Sequence, residues 1–193
     1  MLESDPWRLP LPKLFWSEYH NGPFPRCIDC DVPLLETDAY FVQRNFVGSQ
    51  PVFEMAMCHS CQKTLSEQCS KKTTAAVNLQ MMAWLLEGVG QLREFESAKD
   101  VLDVCIDSCI GCRQPRIECH RFATGGLCTG QDLIVHADLT SRSPFVICEN
   151  CQLEVSDLIS EKTRDVWDRF MEQHFDGPPG IDLDVPTGSP ILI

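Results

Sequence analysis

Twelve cysteines, eight of them in four C-x-x-C pairs, constrain this 193-residue chain more than any other feature. The pairs are Cys27/Cys30, Cys58/Cys61, Cys109/Cys112 and Cys148/Cys151. The spacing curls the backbone into a knuckle that points both sulfurs at one centre, and two knuckles together make a tetrahedral four-sulfur site of the kind that holds structural zinc. Between the first two pairs lie 27 residues, and between the last two lie 35. Disulfides would need an oxidising compartment. The start Met1-Leu2-Glu3-Ser4-Asp5-Pro6 has neither the basic opening nor the apolar core of a secretory signal. A thioredoxin-like motif would need one pair in a βαβ setting, and no such alternation is present. The expectation is a cytoplasmic protein with two Zn2+ ions per chain.

The two brackets are copies of one another. Residues 27–36 read CIDCDVPLLE and residues 109–118 read CIGCRQPRIE, sharing the form C-I-x-C-x-x-P-x-x-E, with Leu35 matching Ile117. Residues 58–73 (CHSCQKTLSEQCSKKT) align without gaps to 148–163 (CENCQLEVSDLISEKT), with seven of sixteen positions identical. Such repetition marks a duplicated unit. The offset is 82 at the first knuckle and 90 at the second, so the second copy carries eight extra residues between its knuckles. The repeat also sorts the remaining cysteines. Cys69 aligns with Ile159 and reads as a small buried thiol. Cys105, Cys119 and Cys128 have no cysteine counterpart, and Cys128 falls in or near the insertion.

Tyr40–Val42 and Val52–Met57 read as a hairpin turned near Val47-Gly48-Ser49-Gln50. The expected equivalents in the second copy are Asp132–His136 and Pro144–Ile147. After each second knuckle the period becomes helical, with Leu65, Cys69, Ala76, Leu79, Met82 and Leu86 on one stripe and Val155, Ile159, Val166 and Phe170 on the other. Gly88 and Gly90 end the first helical stretch, and Gly177-Pro178-Pro179-Gly180 stops the second. The expected class is α+β, with two tandem duplicated zinc-stapled units of knuckle, β-hairpin and long α-helix. The chain then divides into an apolar proline-rich segment (1–23), a first unit (24–87), a helical connector (88–105), a second unit (106–176) and a tail (177–193).

Each unit resembles a treble-clef zinc finger, in which a knuckle and hairpin are followed by a helix supplying the second cysteine pair. The resemblance spans residues 24–87 and 106–176. It implies metal binding, and the scaffold serves nucleases, nucleic-acid binders and protein adaptors alike. Rubredoxin-type iron sites resemble C-x-x-C-G, whereas Asp31, Gln62, Arg113 and Gln152 follow these knuckles, which favours zinc.

Catalysis finds little support. Four-cysteine sites leave zinc no open position for water. His136, with Asp132 and Asp138 nearby, offers a general base for a nuclease, but no further His and Asn ligands follow. The H-x-E of zinc deaminases is missing. Gly125-Gly126 reads as a small-residue loop, and a phosphate cradle would need a helix after it. Cys105, Cys119, His120 and Cys128, with His136, could form a third metal site, but their spacing fits no structural pattern and they read as separate buried thiols with an exposed histidine. His59, opposite Glu149 in the repeat, reads as exposed at a helix start.

Charge argues against nucleic acid. There are 28 acidic and 16 basic side chains, for a net charge of -12. Lys63/Lys71/Lys72 and Arg113/Arg116/Arg121 are the only local basic groups, whereas phosphate binding depends on clustered Lys and Arg. No apolar run approaches the roughly 20 residues of a membrane span. A protein-interaction adaptor is therefore the expected function, with a nucleic-acid-binding regulator as the main rival. Residues 6–25, with Trp7, Leu9, Leu11, Leu14, Phe15, Trp16 and Phe24, are too apolar for a free tail and are expected to pack across the units. The C-terminal Ile191, Leu192 and Ile193 read as a docking end for a protein partner.

Overall fold

The computed structural model describes residues 7–89, 97–135 and 143–175. Two short strand–turn–strand units build one antiparallel sheet. The strands are β1 (Trp7–Pro10), β2 (Tyr40–Val47), β3 (Gln50–Cys58), β4 (Arg121–Thr129), β5 (Asp132–Val135) and β6 (Phe145–Cys148). The helices are α1 (His59–Gln68), α2 (Lys71–Val89), α3 (Ala98–Asp107), α4 (Glu149–Asp157) and α5 (Glu161–His174). Strand order is β1-β5-β4-β2-β3, with β6 also paired to β4. Gly48 (φ 59°) and Gly130 (φ 54°) each open a two-residue turn, the first between β2 and β3 and the second between β4 and β5. A positive φ there suits glycine and matches the twist of a tight hairpin.

The class is α+β and the duplicated layout holds, with three local corrections. The counterpart of β2 is β4, not residues 132–136: the offset of 82 maps Tyr40 onto Phe122, and these two residues face Cys58 and Cys148 respectively. The eight extra residues therefore follow β4. They split the return strand into β5, which covers the far end of β4, and β6, which covers the near end. Gly125-Gly126 accordingly lies inside β4 rather than in a loop, and Cys128 lies in that strand, ahead of the insertion. Each helical stretch comes in two pieces, broken at Cys69-Ser70 and at Leu158-Ser160. The first break changes the phase of the stripe. Val77, Met81 and Trp84 face inward, whereas Leu79, Met82 and Leu86 face out. In the second copy Val155, Ile159, Val166 and Phe170 are all buried as expected.

β2 and β4 join the units. They pair antiparallel along their lengths, with Tyr40 opposite Cys128 and Phe46 opposite Phe122. Since Tyr40 corresponds to Phe122 and Phe46 to Cys128, this is a pseudo-twofold arrangement. Its axis passes through Gln43 and Gly125, which face each other and are themselves equivalent. A side chain at Gly125 would collide with the Phe145 ring at 2.3 Å and with Phe41 at 2.8 Å. Glycine there lets these two rings meet under the axis.

The helices obey the same symmetry by crossing over. Ser70 N–H donates to Thr163 Oγ1 at 2.9 Å, and Ser160 N–H donates to Thr73 Oγ1 at 3.0 Å. In an ordinary capping box the third helical residue serves its own N-cap. Here the threonine at that position in each helix serves the other unit's helix. Both threonines are fully buried, and Thr73 Oγ1 also donates to Ser160 Oγ at 2.9 Å. From this reciprocal cap α5 runs over the first unit, where Phe175 packs on Phe53, and α2 runs over the second, where Arg113 bonds the Trp84 carbonyl.

The N-terminal segment packs across both units as expected. β1 pairs with β5, and Phe15 is fully buried, in contact range of Gly126. Arg44, 3% exposed, fastens it: its guanidinium donates to the carbonyls of Lys13 and Leu14 and lies 3.3 Å from Glu54 and 3.4 Å from Glu18. Nothing in the sequence flagged this buried arginine and its two acidic partners.

Replacing Thr73 or Thr163 by valine keeps the volume but removes the acceptor for the opposite serine N–H. Each substitution should cost about 1–3 kcal/mol, with similar values at the two sites. Chemical denaturation of the metal-loaded protein checks this, and a loss near zero at either site would remove the reciprocal cap as a source of stability.

Candidate metal centres

Each centre is assembled from the two ends of a hairpin. In the first knuckle, Cys27 N–H donates to Val32 O at 2.9 Å and Asp31 N–H to Cys27 O at 3.0 Å. The second repeats this with Cys109 to Gln114 at 2.9 Å and Arg113 to Cys109 at 3.0 Å. Both turns are completed by a left-handed residue, Asp31 (φ 59°) and Arg113 (φ 62°), where glycine would be less strained. The knuckle is then tied to the hairpin: Ile28 N–H donates to Ala56 O, and Ile110 N–H to Val146 O. Cys58 and Cys148 end β3 and β6 and are the N-caps of α1 and α4, so the other two cysteines, Cys61 and Cys151, lie in a first helical turn. Positive charge at helix N-termini favours thiolate there.

All eight sequence-assigned cysteines converge as paired. The sulfurs of Cys27, Cys30, Cys58 and Cys61 lie within 4.8 Å of one another, as do those of Cys109, Cys112, Cys148 and Cys151. Cys30 and Cys58 sulfurs are 3.8 Å apart, and those of Cys112 and Cys148 are 3.6 Å apart. A tetrahedral centre with metal–sulfur bonds of about 2.3 Å has an edge of about 3.8 Å, so the donor sets fit a metal ion. The eight sulfurs are free of disulfides. Cys58 N–H donates to Cys27 Sγ and Cys148 N–H to Cys109 Sγ, each at 3.3 Å, which orients those sulfurs and stabilises negative charge on them.

Without a cation, burial opposes ionisation of most of these thiols. Burial pushes the Cys27 and Cys61 thiols up, and in the second centre it pushes Cys148 up to about 12 and Cys151 higher still, with neighbouring cysteines adding to the effect. Only the exposed ligands go the other way. The Val32 N–H holds Cys30 below its ordinary value, and the Gln114 N–H does so for Cys112 against the effect of burial. Four thiolates this close cannot coexist without a cation, and a divalent ion reverses that balance.

The two centres differ in what covers them. Trp84 and His174 are equivalent residues of the crossed helices, and Gly111 and Asp29 are equivalent residues of the knuckles. At the second centre Trp84 lies over Gly111, where an added Cβ would sit 2.6 Å from Cys151 Sγ and 3.1 Å from the indole. At the first, His174 Nε2 lies 3.2 Å from the Asp29 carboxylate, and a cleft of about 120 Å³ remains beside Cys61, floored by Met57, Leu65 and Phe170. Sequence reasoning missed both covering pairs, although the aligned position Asp29/Gly111 marked where the copies diverge.

Among the described residues no third group of three or more metal-ligating side chains converges. Cys128 is buried opposite Tyr40 on the neighbouring strand, Cys119 Sγ bonds the Pro115 carbonyl, Cys105 is half-buried on α3, and His120 is exposed. Cys69 is buried as expected, and His59 is exposed at the start of α1. His136, Asp138 and Ile191–Ile193 lie outside the described residues. No described helix is long and apolar enough to cross a membrane. Comparison with family models, curated proteins and solved structures returns no match for this chain. Two four-cysteine centres in a duplicated, tandem zinc-finger-like chain are what the sequence and the geometry establish.

The difference in cover predicts an order of metal loss. Under a chelator, Cys58 and Cys61 should become alkylated before Cys148 and Cys151, as read by mass spectrometry, and Trp84→Ala should shrink the gap. Gly111→Ala should weaken the second centre alone, by about 1–3 kcal/mol of overpacking. Equal or reversed labelling would show that the covering residues do not govern release.

Proposed function

We propose that both centres hold zinc in a structural role, two ions per chain, and that the protein is a non-catalytic adaptor joining other proteins. One observation carries the reading: each centre already has four sulfur donors and lies beneath the other unit's helix. Zinc so bound is coordinatively closed and supplies folding energy rather than a reactive water. The treble-clef resemblance of each unit accords with this role. Zinc is preferred to iron because Asp31, Gln62, Arg113 and Gln152 stand where rubredoxin-type knuckles have glycine. A reducing compartment such as the cytoplasm would keep the eight ligands available.

Three features favour a protein partner over nucleic acid. The chain carries a net charge of -12. The arginine group is engaged internally: Arg113 bonds Trp84, Arg116 bonds the Ile106 carbonyl, and Arg121 faces Glu149 at 3.7 Å. Both units also expose an aliphatic side chain at the same repeat position, Leu35 and Ile117, the latter 89% exposed. The C-terminal Ile191, Leu192 and Ile193 are proposed as a further docking end.

Native mass spectrometry of protein purified under reducing conditions should give two zinc ions per chain. Cross-linking in the source cells should then recover a defined partner that is lost from Leu35→Glu/Ile117→Glu or from a chain lacking residues 181–193, with zinc content unchanged. Salt-sensitive retention of DNA or RNA by the zinc-loaded chain would support the rival regulator, and metal-dependent hydrolysis lost in His136→Ala would support an enzyme. Either result would overturn the adaptor reading.

A further inference from the structure

Helix α2 is apolar on two faces. Val77, Met81 and Trp84 point into the core, whereas Ala75, Leu79, Met82 and Leu86 point outward and are exposed, Leu79 by 73% and Leu86 by 64%. Their spacing of four, three and four residues keeps the outward stripe in line along the helix, as a helix–helix seam requires. The duplication provides an internal control. With the offset of 90, Ala75, Leu79 and Met82 correspond to Asp165, Arg169 and Glu172 of α5, which are likewise exposed. The fold therefore accepts charge at all three positions, and the apolar stripe of α2 answers to something other than the core.

The helix's own charges indicate the occupant. Lys71 and Lys72 stand exposed at one end and Glu87 at the other, with no charged residue from 73 to 86. A second α2 laid antiparallel sets each lysine pair against the other copy's Glu87 and opposes the helix dipoles. It also places small Ala75 against large Leu86, and Leu79 against Met82. A parallel copy would put lysine on lysine. Each copy carries a net charge of -12, but charges farther apart than about 8 Å are screened at physiological salt, and Glu87 is the only acid within α2 itself. We propose that two copies of this chain associate through α2, antiparallel, about a twofold between Leu79 and Met82. The association needs no foreign partner and stands apart from the adaptor reading.

Sedimentation velocity of the full zinc-loaded chain over a concentration series tests it. The mass should rise from 21.8 kDa toward twice that value. The triple variant Ala75→Asp/Leu79→Arg/Met82→Glu, which gives α2 the residues α5 already carries, should remain monomeric with both metals retained. In a mixture of light and isotope-labelled wild-type chains, carbodiimide should join Lys71 or Lys72 of one isotope to Glu87 of the other. This second reading does not depend on the variant's folding. A chain that stays monomeric throughout, a dimer that survives the triple variant, or mixed-isotope cross-links that omit Glu87 would each overturn the proposal.

Discussion

The antiparallel pairing of β2 with β4 is the constraint on which the rest of the molecule depends. It fuses two hairpins, each too small to bury a core alone, into one sheet. Its register also sets where everything else must go. Once Gln43 faces Gly125, the knuckles, the N-caps and the crossed helices follow in symmetric pairs. The collision that any side chain at Gly125 would meet with Phe145 and Phe41 explains why the axis is occupied by glycine on one strand.

Metal binding and packing are coupled in this arrangement. A four-sulfur centre fixes a knuckle to a hairpin within one unit, but its cover comes from the other. Trp84 leaves the first unit to close the second centre, and His174 leaves the second to meet Asp29 at the first. Each centre thus draws on residues of both units. A helix that loosens over one of them is still held by the cap it shares with its counterpart, Ser70 to Thr163 and Ser160 to Thr73.

Much of this was legible in the sequence because covalent spacing carries it. C-x-x-C fixes the knuckle whatever surrounds it, the match of residues 27–36 with 109–118 carries the offset of 82 that locates the axis, and the gapless alignment of 58–73 with 148–163 carries the offset of 90 that relates the crossed helices. Ser70/Ser160 and Thr73/Thr163 were already identical in that alignment. What it could not carry is that each threonine serves the opposite serine, since reciprocity is a property of assembly and not of local pattern. The outward turn of Leu79 and Leu86 escaped for a related reason. A helix apolar on two sides gives no single phase, and the break at Cys69-Ser70 cuts a stripe that runs on through Leu65 in the sequence. Arg44 escaped because its acceptors, Lys13 O and Leu14 O, are backbone atoms about thirty residues away in the chain. The second hairpin escaped because the insertion splits its return strand, and the two pieces, β5 and β6, read in the sequence like the two arms of one hairpin.

The pairs Trp84/Gly111 and His174/Asp29 carry one more consequence. In a true homodimer every change is written twice, so a bulky indole over one centre would force the same indole over the other. Here both halves belong to one chain, and a residue can change on one side of the axis while its twin stays as it was. One four-sulfur centre can be covered by an indole while a cleft remains beside the other. Near-symmetry thus supplies the framework, and covalent linkage frees each half to specialise.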